Sequence, residues 1–150
     1  MSILDSGSRR EYSTGAVRDV QTGKGRCDLL PLGVVAELLT DTVLGCIAAF
    51  QQTNKVEYLY RALSYFARRY DNIYDMLLEV SKHFEEGALK YGENNWQKGL
   101  PVSCYIDSAV RHYFKWHRGD DDENHDRAFV WNVMALIYTV ENGLEVTIEN

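Results

Sequence analysis

Glu79, His83, Glu86 and Lys90 recur at intervals of four, three and four residues, a spacing that puts them on one face of an α-helix. Two carboxylates a turn or two apart suit a hard divalent cation such as Mg²⁺, which binds through a few oxygens and shares substrate phosphates. The same pattern also describes a solvated face laced with i, i+4 pairs such as Glu86–Lys90. Just downstream, KYGENNWQK gathers Lys90, Tyr91, Asn95, Trp96 and Lys98. Aromatic rings offer a stacking face to a base, and an Asn amide can read a base edge or a ribose hydroxyl. Trp96 equally fits a core plug beneath a loop.

A second group lies in YIDSAVRHYFKWHRG, where Asp107 and Arg111 are one helical turn apart, as are Ser108 and His112, with Lys115 following. A guanidinium grips a phosphate through two parallel bonds, where a lysine gives a point charge. The competing reading is an Asp107–Arg111 surface pair, which contributes little. Further on, His125-Asp126 suggests a phosphohydrolase metal site of the His-Asp type, which needs an upstream His and another downstream Asp. After Asp126 the chain has no aspartate, only Glu141, Glu145 and Glu149. Asn132 shares the helical face of His125 and reads as a structural hydrogen-bonder or a pocket residue. Near the N-terminus, TGAVRDVQTGKGRCDLLP sets Arg18, Lys24 and Arg26 among glycines. Free backbone N–H groups and cations there make a phosphate clamp that orders on binding, although the GxxxxGK[ST] pattern is missing.

Hydrophobic periodicity places these groups on helices. DLLPLGVVAELLTDTVLGCIAAFQQ reads as one helix with Asp28 as N-cap and Pro31 in its first turn. A second is expected at about 55–70, and a third at about 73–91, closed by Gly92. A fourth follows at about 103–118, and a fifth at about 121–142, opened by the acids of GDDDENHD, which suit the helix dipole. The expected fold is therefore all-α, a bundle of about five helices with an extended N-terminal arm. The expected division is an arm over 1–28, a helical nucleotide-binding domain over 29–143 and a tail over 144–150.

The totals fit one domain of 150 residues with 45% hydrophobic and 25% charged residues. A net charge of −6 gives no global attraction to nucleic acid or an anionic membrane, so an anionic ligand must meet local basic groups. No apolar run approaches the ~20 residues of a membrane span, and MSILDSGSRREYSTG lacks a signal-peptide core. Cys27, Cys46 and Cys104 are scattered without CxxC spacing, as expected of free thiols in a reducing cytoplasm.

TGAVRD, GKGRCDLLP, HFEEGALKYGENNWQKGLP, YIDSAVRHYFKW and RGDDDENHDRAFVWN together resemble a phage-associated family, the dATP/dGTP diphosphohydrolase N-terminal domain family. That family is loosely grouped with MazG-like all-α nucleotide pyrophosphohydrolases. The resemblance extends from about residue 14 to 132 and is carried by Lys90, Tyr91, Asn95, Trp96, Arg111, His112, His125 and Asn132. It implies hydrolysis of purine deoxynucleoside triphosphates to monophosphate and pyrophosphate with Mg²⁺ or Mn²⁺, in the cytoplasm of a bacterial host. MazG-like enzymes hold metal with an ExxE pair and an ExxD pair on adjacent helices. Glu79, Glu85 and Glu86 have neither that spacing nor an acidic partner pair.

Under this reading Glu79 and Glu86, with Asp107 or Asp126, are the expected metal ligands, and Glu86 or His112 orients the attacking water. Arg111, Lys90, Lys98, Lys24 and Arg26 are expected at the phosphates. Trp96 or Tyr91 stacks the purine, Asn95 or Asn132 reads its edge, and His125 lines the site. The alternative is a non-catalytic, metal-free binder that sequesters a nucleotide-derived immune signal. Either way a homo-oligomer is expected, because 150 residues do not easily bury both a core and a ligand.

Overall fold

A computed structural model describes residues 9–12, 16–19 and 23–144. The tail beyond Leu144, and with it the tail assignment, lies outside the described residues, as do the remaining positions of the arm. The fold is an all-α bundle. Six helices are described: α1 Leu32–Leu39, α2 Thr42–Thr53, α3 Glu57–Ala67, α4 Ile73–Tyr91, α5 Val102–Arg118 and α6 His125–Glu141. Ahead of them, β1 Arg9–Glu11 and β2 Val17–Asp19 pair antiparallel, with Glu11 opposite Val17. No described helix is long and apolar enough to cross a membrane. The three cysteines are free thiols.

The single helix expected across the Leu- and Val-rich segment is two helices. Thr40 takes a left-handed conformation (φ 50°) and ends α1, its N–H reaching back to carbonyls of that helix. Asp41 then caps α2 by accepting the Leu44 N–H at 2.9 Å. A capping aspartate offers the backbone an alternative to helix continuation, and here it prevails over the unbroken apolar period. Asp28 caps nothing; it lies in a 3-10 turn, Cys27–Leu29, and pairs with Arg26. The acids of GDDDENHD mostly precede α6 and form the loop that leads into it.

α5 and α6 form the antiparallel centre of the bundle. At one end the Thr139 hydroxyl meets the Tyr105 hydroxyl at 3.1 Å; at the other, His112 meets His125. Between them the rings of Phe66, Tyr113, Trp116 and Phe129 pack with centroids 4.7–6.1 Å apart. Burying each such ring contributes on the order of 2 kcal/mol. The arm is fastened to the same helices. Tyr12 is buried, with its hydroxyl 3.3 Å from the Cys104 sulfur, and the Cys27–Leu29 turn lies on α5.

Two glycines fix turns at opposite ends of the bundle. Gly119 (φ 90°) is the left-handed C-cap of α5 and sends the chain into the 120–124 loop. Gly99 (φ 87°) passes so close to Leu144 that an added Cβ would lie 2.6 Å from its carbonyl oxygen. Only a residue without a side chain suits either position.

Candidate metal and phosphate site

His112, on the last turns of α5, faces His125, the first residue of α6, with the two Nδ1 atoms 2.8 Å apart. On its other edge His125 Nε2 lies 2.7 Å from Asp122. The tautomer satisfying both contacts has His125 Nε2–H donating to Asp122 while its Nδ1 lone pair accepts from His112. The hydrogen bond from His125 holds the Asp122 carboxyl below the usual carboxylate range, and the Arg118 bond does the same for Asp120. Glu123 completes the cluster. Its carboxylate and ring nitrogens of His112 and His125 all lie within 4.8 Å of one another, and a second group joins Asp120, Asp122 and His125. The His125 side chain is fully buried, whereas His112 and Glu123 are half-buried.

One residue back along α5, Arg111 Nη2 lies 2.6 Å from both Asp107 oxygens and 2.6 Å from the Gly25 carbonyl. Asp107 also accepts the Cys27 N–H at 2.6 Å. This is not the exposed pair that spacing allows: the two side chains are only 12% and 2% exposed. It ties the backbone of the GKGR turn down over α5, with Arg26 close enough to feel the Asp107 charge. Arg26 forks onto Asp28 at 2.8 and 2.6 Å. Burial raises the proton affinity of the Cys27 thiol, against the opposing charges of Arg111 and Lys115. Lys115 also acts on Asp120 and Asp122, so its charge spans the ground between the Arg111 pair and the imidazoles.

The carboxylates expected as metal ligands, Glu79 and Glu86 with Asp107 or Asp126, form no group of three ligand atoms within 4.8 Å of one another among the described residues. Glu79 pairs with Lys82 at 2.6 Å, which holds its carboxyl below the usual range. Glu86 faces Arg127 at 3.5 Å, and its Oε2 is buried with no hydrogen-bond partner. Asp126 accepts the Tyr70 hydroxyl at 2.8 Å, and burial followed by that bond raises the phenol's proton affinity. Asp107 is held by Arg111 and the Cys27 N–H. Glu79 and Asp107 are paired within their own helices, while Glu79, Glu86 and Asp126 lie around Arg127 and Tyr70. Glu86 and His112 do not meet either: His125 faces α5, while Arg127, about 200° round α6, faces α4.

The aromatic and amide group downstream of α4 is also apart. Trp96 sits edge-on between Phe84 (5.2 Å) and Tyr138 (4.9 Å). Tyr138 is thirteen residues along α6 from His125, roughly 20 Å at 1.5 Å per residue. Trp96 is thus the plug of the loop, in a ring cluster completed by Trp131 and His83. Lys90, Tyr91, the buried Asn95 and Lys98 belong to that same distant end, at the close of α4 and in the 3-10 turn Asn95–Lys98. Asn132 is buried and donates to the Ala128 carbonyl of its own helix at 2.8 Å.

Of the residues singled out in the sequence, the structure brings Arg26 near the Asp107–Arg111 pair and sets His112 against His125. Sequence reasoning missed Glu123 and the Asp122–His125 bond, having read that loop as dipole-stabilising acids. The available signal was an acid two residues before a helix-opening histidine, with another histidine near the end of the preceding helix.

No curated protein and no solved structure matches the chain. Residues 62–148 match the family described as dATP/dGTP diphosphohydrolase, N-terminal. That span runs from within α3 past the end of α6 and contains His112, Glu123 and His125, whereas TGAVRD and GKGRCDLLP, part of the resemblance read from sequence, fall outside it. The matched span is more than half of the 150 residues; the chain belongs to the dATP/dGTP diphosphohydrolase N-terminal family.

Proposed function

We propose that the protein hydrolyses purine deoxynucleoside triphosphates, dATP and dGTP, to the monophosphate and pyrophosphate where α5 meets α6. The observation that carries this reading is the convergence of His112, Glu123 and His125 beside the basic row of Arg111 and Lys115, in a family named for that hydrolysis. Water oxygen bonds to the α-phosphorus, the α–β bridging bond breaks, and pyrophosphate leaves with the electron pair.

Two imidazole nitrogens and a carboxylate within 4.8 Å fit a divalent ion, so His112, Glu123 and His125 are the residues that would hold it. When bound, such an ion supplies charge neutralisation at the phosphates and acidifies water. The chain's own groups do the rest. Lys115, Lys24 and Arg26 meet the triphosphate charge. Arg111 is a positioning residue that anchors the Gly25 turn on which Lys24 and Arg26 sit. Asp122 holds the His125 ring in one tautomer.

Incubation of the purified protein with each of the four dNTPs and Mn²⁺ or Mg²⁺, with ion-exchange analysis of products, tests this. Equal amounts of monophosphate and pyrophosphate from dATP and dGTP are expected. Diphosphate plus orthophosphate, or intact substrate, would contradict it. One observation favours a second reading, a non-catalytic nucleotide binder: Glu79, Glu86, Asp107 and Asp126 are all engaged by other side chains. Nucleotide retained through purification without turnover would select that reading.

The proposal includes a homo-oligomer. Val34 and Leu38 lie on one face of α1 at i, i+4 spacing, and Ile73, Tyr74, Leu77 and Leu78 lie along α4, all of them exposed. Apolar stripes of this kind on a small bundle are what partner subunits cover.

A further inference from the structure

We infer that the His112–Glu123–His125 cluster is a transition-metal site, selective for ions of the Mn²⁺–Co²⁺–Zn²⁺ class over Mg²⁺, with Asp122 as the outer carboxylate that aims His125. The inference rests on the hydrolase reading for its role, but not for its existence.

Mg²⁺ favours oxygen ligands and gives up its waters reluctantly. Imidazole nitrogen suits the later first-row ions, whose affinity for mixed N/O sites rises from Mn²⁺ towards Cu²⁺. Here two of the three donors are ring nitrogens, drawn from two helices. Three protein ligands also leave positions for water and substrate, as catalytic rather than structural sites do.

The contact between the rings points the same way. Two Nδ1 atoms 2.8 Å apart cannot both present bare lone pairs to each other; a bound cation would take the place of the proton that His112 donates to His125. Asp122 occupies the far nitrogen of His125, which turns the Nδ1 lone pair inward. That is the carboxylate–histidine arrangement that orients and strengthens metal-bound imidazole. The competing group, Asp120–Asp122–His125, is the poorer site. Asp120 is already paired with Arg118, and the Asp122 side chain is 48% exposed. Gly119 and the 120–124 loop thus carry both Glu123 and Asp122 to the His125 imidazole.

The test uses the full chain, stripped with a chelator and titrated with Co²⁺, following the visible d–d absorption. One Co²⁺ per chain is expected, displaced by equimolar Zn²⁺ and retained in a hundredfold excess of Mg²⁺. His112→Gln and Glu123→Gln, both at half-buried positions that tolerate an isosteric amide, should abolish the band while circular dichroism stays unchanged. Asp122→Asn should weaken binding roughly tenfold to a hundredfold without changing the band shape. Glu79→Gln should bind as wild type. A folded wild-type protein without the band, a band untouched by both His112→Gln and Glu123→Gln, or displacement by equimolar Mg²⁺ would each overturn the inference. Co²⁺ binding without any dNTP cleavage supports the metal site and removes the hydrolase reading. Cleavage by a protein that binds no Co²⁺ does the reverse.

Discussion

At the scale of single residues, the Asp107–Arg111 pair shows how burial changes the value of a contact visible in sequence. Spacing alone allows an exposed i, i+4 pair contributing ~0.3–0.5 kcal/mol. The structure shuts the pair beneath the Gly25–Cys27 backbone, where removing one partner strands a buried charge. Arg111→Ala is therefore expected to cost about 3–5 kcal/mol in urea denaturation. Asp107→Asn combined with Arg111→Ala should cost less than the sum of the two single changes, because neither charge is left alone. His117 gives a pH dependence of known sign. Partial burial against Tyr113 and Trp116, then the charge of Arg69, lower its proton affinity in the fold. Below the ordinary value of 6.5 the unfolded chain takes up the proton first. The stability contributed by the neutral ring is therefore present above that value and lost as pH falls through the lowered one. His117→Gln should flatten this part of the stability–pH curve below pH 6.5 relative to wild type.

At the scale of elements, α4 was legible from sequence, since the expected span of about 73–91 and its Gly92 stop match Ile73–Tyr91, and the structure adds the Asn72 cap. The α1–α2 break was not, because hydrophobic period cannot register a competing cap at Asp41 inside a continuous Leu/Val run. Asp41 serves two partners, accepting both the Leu44 N–H and the Tyr113 hydroxyl at 2.6 Å. Asp41→Ala is expected to cost about 2 kcal/mol, a cap plus the charged acceptor of the Tyr113 hydroxyl, which keeps only its bond from Arg69. Thermal melts should show it more damaging than Asp41→Asn, which keeps an acceptor for the cap. The α5–α6 junction was half legible. The histidines could be found, but Glu123 lies in a loop whose course depends on the left-handed turn at Gly119. Trp96 shows the limit most plainly: a loop tryptophan has the same sequence signature whether it stacks on a base or, as here, on Phe84 and Tyr138.

At the scale of the whole molecule, the all-α class and the family were readable from the chain. The gathering of site residues was readable only in part, because helix assignment says which side chains share a face but not which faces meet. The exposed apolar stripes on α1 and α4 lead to a prediction at this scale. Leu38→Glu, at an 80% exposed position, should lower the mass seen by light scattering and leave helicity unchanged, if α1 is the contact; an unchanged oligomer would remove α1 from the interface. The central claim is that a purine deoxynucleoside triphosphate is cut between its α- and β-phosphates at the junction of α5 and α6. Hydrolysis of dGTP in ¹⁸O-enriched water, followed by mass spectrometry of wild type and His112→Gln, tests it most directly. The account predicts label in the monophosphate, none in the pyrophosphate, and loss of turnover in the variant. Label in pyrophosphate or orthophosphate, or equal turnover in the variant, would contradict it.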